Sequence, residues 1–190
     1  MKTGTDGAKM YFIALVLPPH LDEKIQAWKQ WMKENYGSKV GLKSPAHITI
    51  APPFWTDEEN EILLRQDMEI LARTINEFQV ATDNFSAFGP RTIFVAVEKN
   101  NELNALKKAS DDFFRKTEYG IKIENRPFHP HITIATRDLH KKNFADAWPY
   151  FQEREFKETF DVTDLSLLKH NGRTWDVVFT AAFAKEKADV

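Results

Sequence analysis

The sequence predicts an α+β fold: bilobal, with two pseudo-symmetric antiparallel-sheet lobes, outer helices and a central cleft. Three observations predict it. The tetrapeptide His-Ile-Thr-Ile occurs twice, at residues 47–50 and 131–134. Each copy sits in the same order of elements, strand, helix, His-Ile-Thr strand, helix, strand; 35 residues separate Phe12 from His47 and 37 separate Phe94 from His131. The turns in "FGPRTIFVAV" and "KHNGRTWDVVF" both place Arg-Thr directly after the turn. Two copies are too few for a solenoid, which needs three or more. A duplicated pair of lobes remains, and lobes related by a pseudo-two-fold axis would set the two tetrapeptides on opposite walls of one cleft.

The elements follow in chain order. "YFIALVL" (11–17) is aromatic and β-branched, a strand ended by Pro18-Pro19. From His20 to Tyr36, Leu21, Ile25, Trp28, Trp31 and Met32 recur at three- and four-residue steps, an amphipathic helix stopped by Gly37. "AHITIAPPF" is the next strand. Asp57 is positioned to cap a helix reaching Glu77, with Ile62, Leu63, Ile70 and Leu71 on its apolar side. "FQVATDNFSAF" (78–88) and "RTIFVAV" (91–97) read as extended segments joined at Gly89-Pro90. Asn100-Asn101 opens a helix to about Thr117; "FHPHITIA" is a strand; 138–153 is a helix; "FKETFDVTDLSLLK" is one long extended segment; and "RTWDVVFTAAF" follows the Asn171-Gly172 turn. A single domain is expected over residues 10–184, with flexible ends at 1–9 and 185–190.

Composition narrows the chemistry. The 190 residues are 42% hydrophobic and include 15 Phe, enough for a substantial core. There is no cysteine, which excludes disulfides, thiolate metal sites and cysteine nucleophiles. The polar start "MKTGTDGAKM" is unlike a signal peptide and the apolar run after it is too short to span a membrane, so a cytoplasmic, monomeric protein is the expectation. A net charge of −2 argues against a grip on long duplex nucleic acid through its phosphates and favours an RNA terminus or a small nucleotide.

The spacing within the tetrapeptide carries the chemistry. Alternate side chains of a strand share a face. His47 and Thr49 therefore point one way and Ile48 and Ile50 the other; His131 and Thr133 stand in the same relation to Ile132 and Ile134. The isoleucines anchor each strand, and a one-residue slip would bury the polar pair. Imidazole titrates near ~6.5, so one ring can act as base while its partner acts as acid. Cleavage of a phosphodiester needs both, and threonine hydroxyls can donate to the non-bridging oxygens where charge grows. One such motif is ordinary β-structure. Two arise by chance in on the order of one chain in a thousand at average residue usage.

This pattern, His-apolar-Thr-apolar twice, about 80 residues apart on duplicated α+β lobes, resembles the 2H phosphoesterase superfamily. "YFIALVLPP" is similar to the first strand of its 2′-5′ RNA ligase and 2′,3′-cyclic phosphodiesterase branch. The resemblance runs from about residue 10 to 184. It implies a bilobal fold and phosphodiester chemistry without metal or cofactor on RNA 3′ ends or small cyclic nucleotides, opening a 2′,3′-cyclic phosphate to a 2′-phosphate. It implies His47 and His131 as the acid–base pair, with His131 activating water and His47 the acid, and Thr49 and Thr133 as phosphate ligands. Two features depart from the ligase-like branch. Its Arg commonly lies three residues beyond the second Thr; here that position is Thr136 and the Arg follows at Arg137, which an unbroken strand would turn to the other face. The first motif continues "APPF", closer to small bacterial relatives of uncertain substrate.

Other readings stand beside this one. "HPH" places His129 and His131 at a spacing that metal sites also use, although neither motif strand carries Asp or Glu. Arg137, Lys169 and Arg173 can hold phosphate or be solvated surface charges. Trp175 can stack a base or pack in the core. Trp28 and Trp31 fit the apolar side of their helix. A nucleotide or RNA-end binder that keeps the fold without catalysis is the second functional class, a structural partner protein the third.

Overall fold

The computed structural model describes residues 7–185. The chain runs β1 (Ala8–Val16), α1 (Pro19–Tyr36), β2 (His47–Asp57), α2 (Glu61–Ala72), β3 (Phe78–Phe88), β4 (Thr92–Val97), α3 (Asn101–Phe114), β5 (His131–Ala135), α4 (Lys141–Gln152), β6 (Thr159–Val162), β7 (Asp164–His170) and β8 (Trp175–Ala182), with short 3₁₀ turns at Val40–Lys43 and Glu58–Asn60. Local chemistry accounts for several boundaries. Pro19 opens α1, where its missing N–H costs nothing, and Gly37 closes it in the left-handed region at φ 69°, its N–H donating to the Lys33 carbonyl. The Asn100 side chain accepts from the Leu103 N–H at 2.7 Å and caps α3.

Other boundaries depart from the expectation. Asp57 caps nothing: β2 extends through it, the 3₁₀ turn intervenes, and α2 starts at Glu61 and stops at Ala72 rather than Glu77. Packing against β7 and β8 then buries Leu64, Met68, Leu71 and Ala72. Of the expected apolar side only Leu71 is buried, and Ile62, Leu63 and Ile70 are exposed. β5 starts at His131, not at Phe128; Pro127 and Pro130 have no N–H to give to a ladder. The expected segment 156–169 breaks at Thr163 into β6 and β7. At the ends, Ala8 and Lys9 belong to β1 rather than to a flexible tail. Lys185 is described, whereas the remaining expected tails, 1–6 and 186–190, lie outside the described residues.

All eight strands form one antiparallel sheet in the order β6-β3-β4-β5-β2-β1-β7-β8. Four strands lie on each side of the β5–β2 seam, which pairs at Ile48 and Ile132. The two halves expected as facing lobes are therefore continuous through their motif strands. Reflecting the order about that seam matches β4 with β1 and β3 with β7. The β3–β4 hairpin thus corresponds to the β7–β1 pair, not to the β7–β8 hairpin that shares its Arg-Thr. The sheet also curls back on itself: Phe183 donates to the Thr163 carbonyl and Ala184 to the Ile75 carbonyl, both at 2.8 Å, bringing the end of β8 to the start of β3.

The helices pack on one face of this sheet. Ile48, Ile50, Ile132 and Ile134 join Leu21, Ile25, Met32, Leu64, Leu103 and Leu106 in that core, each at most 1% exposed. Burying such a side chain is worth ~1.5–3 kcal/mol, so four isoleucines hold the register of both motif strands firmly. On the other face Phe12, Ala14 and Leu168 form a smaller apolar cluster with Val16 and Trp175. Among the described residues no helix is long and apolar enough to cross a membrane.

Candidate active site

The burial pattern of both motif strands reads half-buried, buried, half-buried, buried, buried. His47 and Thr49 on β2, and His131 and Thr133 on β5, are the half-buried positions, on the face away from the helices. Antiparallel pairing of Ile48 with Ile132 carries a further consequence. Extending that register sets His47 across from Thr133 and Thr49 across from His131. The four side chains form a two-by-two array on adjacent strands. The imidazoles occupy one diagonal, for which a separation of roughly 7–8 Å is usual.

Both imidazoles are oriented by the same device. Nδ1 of His47 lies 2.7 Å from the Pro45 carbonyl oxygen, and Nδ1 of His131 lies 2.7 Å from that of His129. A carbonyl only accepts, so Nδ1 carries the proton in each ring and Nε2 is left to meet a substrate. Aromatic rings support both. Phe12 packs on His47 at 4.8 Å between centroids; Phe94 and Phe88 pack on His131 at 5.0 and 5.2 Å. These phenylalanines belong to the site, although in the sequence they serve only as strand markers. For Phe12 and Phe94, the near-equal spacing to His47 and His131 is the signal that could have found them; Phe88 has no such signal. His129 precedes β5, and it is its carbonyl that meets His131; its ring packs on Phe88 at 5.1 Å.

Burial governs the acid–base character. It pushes His47 down from the usual imidazole range to about 4; the bond to Pro45 opposes the shift, and the positive charge of Lys29 adds to it. Burial also lowers His131, opposed by the bond to His129 and reinforced by the His129 imidazole.

Two cavities meet at this array. The smaller, about 150 Å³, is lined by His47, Thr49, Thr133, Arg137, Trp175 and Lys43, among others, and by no carboxylate. The larger, about 850 Å³, takes in His131 and Thr49 and extends along α3 past Lys107 and Arg115 to Arg126. Thr49 and Pro53 line both. Arg137 reaches the small cavity because β5 ends at Ala135 and the chain turns there, Leu139 donating to the Thr136 carbonyl at 2.8 Å. The extra residue before Arg137 is absorbed by that turn. Trp175 does both things open to it: it packs edge-on to Phe12 at 4.7 Å and also lines the cavity. Lys169 lies elsewhere, paired with Glu58 and Glu61 beside Tyr11. Trp28 packs against Phe85 and Phe156, and Trp31 stacks on Tyr150.

Lys43 carries no signal in the sequence; tertiary contacts bring it in. Asp138 accepts from Ser38 Oγ at 2.9 Å and from the Lys39 and Val40 N–H groups at 2.7 and 3.0 Å, tying the turn after β5 to the 3₁₀ turn that ends at Lys43. Gly41 makes that docking possible, since a Cβ there would stand 2.3 Å from the Ile134 carbonyl oxygen. Gly41→Ala is therefore expected to destabilise the fold by roughly 1–3 kcal/mol, the usual cost of overpacking, and to loosen the Lys43 side of the cavity. Urea denaturation of the variant checks this, and an unchanged midpoint would contradict it.

Comparison with known proteins agrees with this architecture. The sequence model of the 2′-5′ RNA ligase superfamily matches residues 17–174. A candidate phosphoesterase of Geobacillus kaustophilus is 30% identical over 177 residues, covering 90% of this chain and 95% of that protein. Another, from Oceanobacillus iheyensis, is 28% identical over 167 residues, covering 85% and 93%. Among solved structures, TT0787 of Thermus thermophilus aligns with a TM-score of 0.65 at 19% identity, covering 93% of this chain and 99% of that one. E. coli LigT complexed with 3′-AMP aligns with a TM-score of 0.63 at 20% identity, covering 93% and 99%. Family model, relatives and fold converge, and the chain belongs to the 2′-5′ RNA ligase superfamily of 2H phosphoesterases.

Proposed function

We propose that the protein is a phosphodiesterase that opens 2′,3′-cyclic phosphates on RNA 3′ ends or small nucleotides by acid–base catalysis between His47 and His131. The observation that carries this reading is the diagonal placement of two imidazoles across the Ile48–Ile132 seam, each held by its Nδ1 with Nε2 free. A phosphate seated between them can meet one ring on the side of the attacking water and the other on the side of the leaving oxygen. In this scheme the base takes a proton from water as its oxygen bonds to phosphorus. The acid gives a proton to the departing 3′ oxygen, and the product keeps a 2′-phosphate. Thr49 and Thr133 donate to the non-bridging oxygens, and Lys43 and Arg137 supply positive charge in a cavity without carboxylates. E. coli LigT, of similar fold, has been crystallised with 3′-AMP and with phosphate, ligands of the class proposed here.

The test is a product panel. The protein is incubated with a 2′,3′-cyclic nucleotide, a short RNA ending in a cyclic phosphate and a 2′-5′-linked oligonucleotide, and the products are resolved. Opening of the cyclic phosphates to 2′-phosphates supports the proposal. Turnover of the 2′-5′ linkage alone would redirect it, and binding without turnover across the panel would favour the non-catalytic binder. Among the described residues no three His, Cys, Asp or Glu side chains gather as metal ligands. Turnover is accordingly expected to survive a chelator, and loss of activity restored by zinc or manganese would overturn the two-histidine scheme.

A further inference from the structure

Among the described residues Lys29 is the one buried lysine, 2% exposed on the inner side of α1. A buried ammonium is costly unless it is paired and hydrogen-bonded. Its Nζ donates to the Ser44 carbonyl at 3.0 Å, an oxygen that Gln26 Nε2 also approaches at 3.2 Å. Two turns before Lys29 on α1, Asp22 Oδ1 accepts the Ala46 N–H at 2.6 Å and the Gln26 amide at 2.9 Å. These bonds fasten residues 44 and 46 on either side of Pro45, whose carbonyl receives the Nδ1 proton of His47. Among the described residues His131 has no such apparatus: no side chain bonds the backbone on either side of His129, whose carbonyl meets its Nδ1. The two halves repeat the imidazoles but not what stands behind them.

We propose that Lys29 is a positioning residue that fixes the Ser44–Ala46 segment behind His47 and, through its buried positive charge, adds to the burial that keeps His47 free of a proton. This rests on the two-histidine reading above. The charged and titratable groups around His47 are Lys29 and Asp22 on α1, His131 on β5, and Lys43 and Arg137 lining the cavity. Lys29 disfavours a proton on His47 more than Asp22 favours one. Burial holds Lys29 itself down to about 8, partly offset by Asp22, so the ammonium persists at neutral pH. A fixed cation behind the His47 ring favours its neutral state. The role is indirect, because Lys29 meets the backbone and not the substrate.

NMR titration of the imidazoles in the intact protein tests this without reference to turnover. Lys29→Met keeps the length and apolar stem but removes the charge. His47 is expected to titrate higher in this variant, by roughly half a pH unit, as befits a like charge beyond direct contact. His131 is expected to stay where it is. Asp22→Asn keeps an acceptor for Ala46 and removes the opposing charge, so His47 should move down. An unchanged His47 in either folded variant overturns the proposal, as does equal movement of both histidines. Should Lys29→Met fail to fold, Lys29→Gln, which keeps a donor for the Ser44 carbonyl and removes the charge, decides by the same upward shift of His47. In kinetics, one limb of kcat/KM for a cyclic nucleotide is expected to follow His47 in these variants: the acidic limb moves where His47 is the base and the basic limb where it is the acid, and a profile in which neither limb moves overturns the proposal. If no substrate of the panel is turned over, the catalytic reading fails on its own, while the titrations still decide whether Lys29 biases His47.

Discussion

His47→Ala and His131→Ala are each expected to lower kcat/KM for a 2′,3′-cyclic nucleotide by about 10²–10⁴-fold, the range over which a positioned general acid or base contributes. The effect belongs to chemistry rather than folding, because both rings project from the face opposite the isoleucine core. Each ring also meets aromatic neighbours, Phe12 for one and Phe94 with Phe88 for the other, so a modest loss of stability accompanies the larger loss of rate. The double variant should be little worse than either single one. Base and acid act in one transition state, and removing either already forfeits the concerted route. His140→Ala is the control: His140 is exposed at the start of α4, and its side chain caps nothing there. Steady-state kinetics with far-ultraviolet circular dichroism separates these effects. Retention of wild-type kcat/KM in either histidine variant would remove that imidazole from the mechanism.

The second large effect is on pH. The kcat/KM profile should be bell-shaped, with its maximum below pH ~6.5, because burial lowers both imidazoles in the free protein. The sign follows from the two roles. The base must be free of its proton, so activity rises as pH climbs through the lower value. The acid must keep its proton, so activity falls as pH passes the higher value. With both below the ordinary histidine range, kcat/KM at pH 8 should be more than about tenfold below its maximum. A bound phosphodiester is an anion, and a nearby anion favours imidazolium. The kcat profile should therefore lie at higher pH than the kcat/KM profile. Initial rates between pH 4 and 9 with a cyclic nucleotide measure both curves. A flat profile with chemistry rate-limiting would count against the histidine pair. A kcat/KM maximum above pH 7 would count against the burial that lowers them.

The same features favour the proposed enzyme over a binding protein of the same fold. Binding an anion calls for the hydroxyls of Thr49 and Thr133 and the charges of Lys43 and Arg137, and it gains nothing from imidazoles held neutral by burial. Desolvated, oriented histidines are what acid–base chemistry requires.

What the sequence determined by itself was local. Alternation within His-Ile-Thr-Ile settled which side chains face the core, because a strand has a period of two and isoleucine is costly to expose. Recurrence of the motif, with similar spacing from Phe12 and Phe94, identified the duplication. Gly37 and Asn100 marked helix ends, and Pro18-Pro19 the end of the first strand, through backbone chemistry that needs no partner. The tertiary structure decided everything that depends on which segments meet. It made one curled sheet of the two expected lobes, since pairing β2 with β5 satisfies backbone groups that separate edges would leave open. It turned the buried side of α2 away from Ile62, Leu63 and Ile70, because the register of a helix face is set by the strands beneath it. It brought Arg137 back to the cavity by ending β5 early, and it delivered Lys43 through a clamp on Asp138 that lies 95 residues away along the chain. Lys29 shows the limit most plainly. In sequence it is one lysine on an amphipathic helix; only the packing of α1 beneath residues 44–46 buries its charge behind His47.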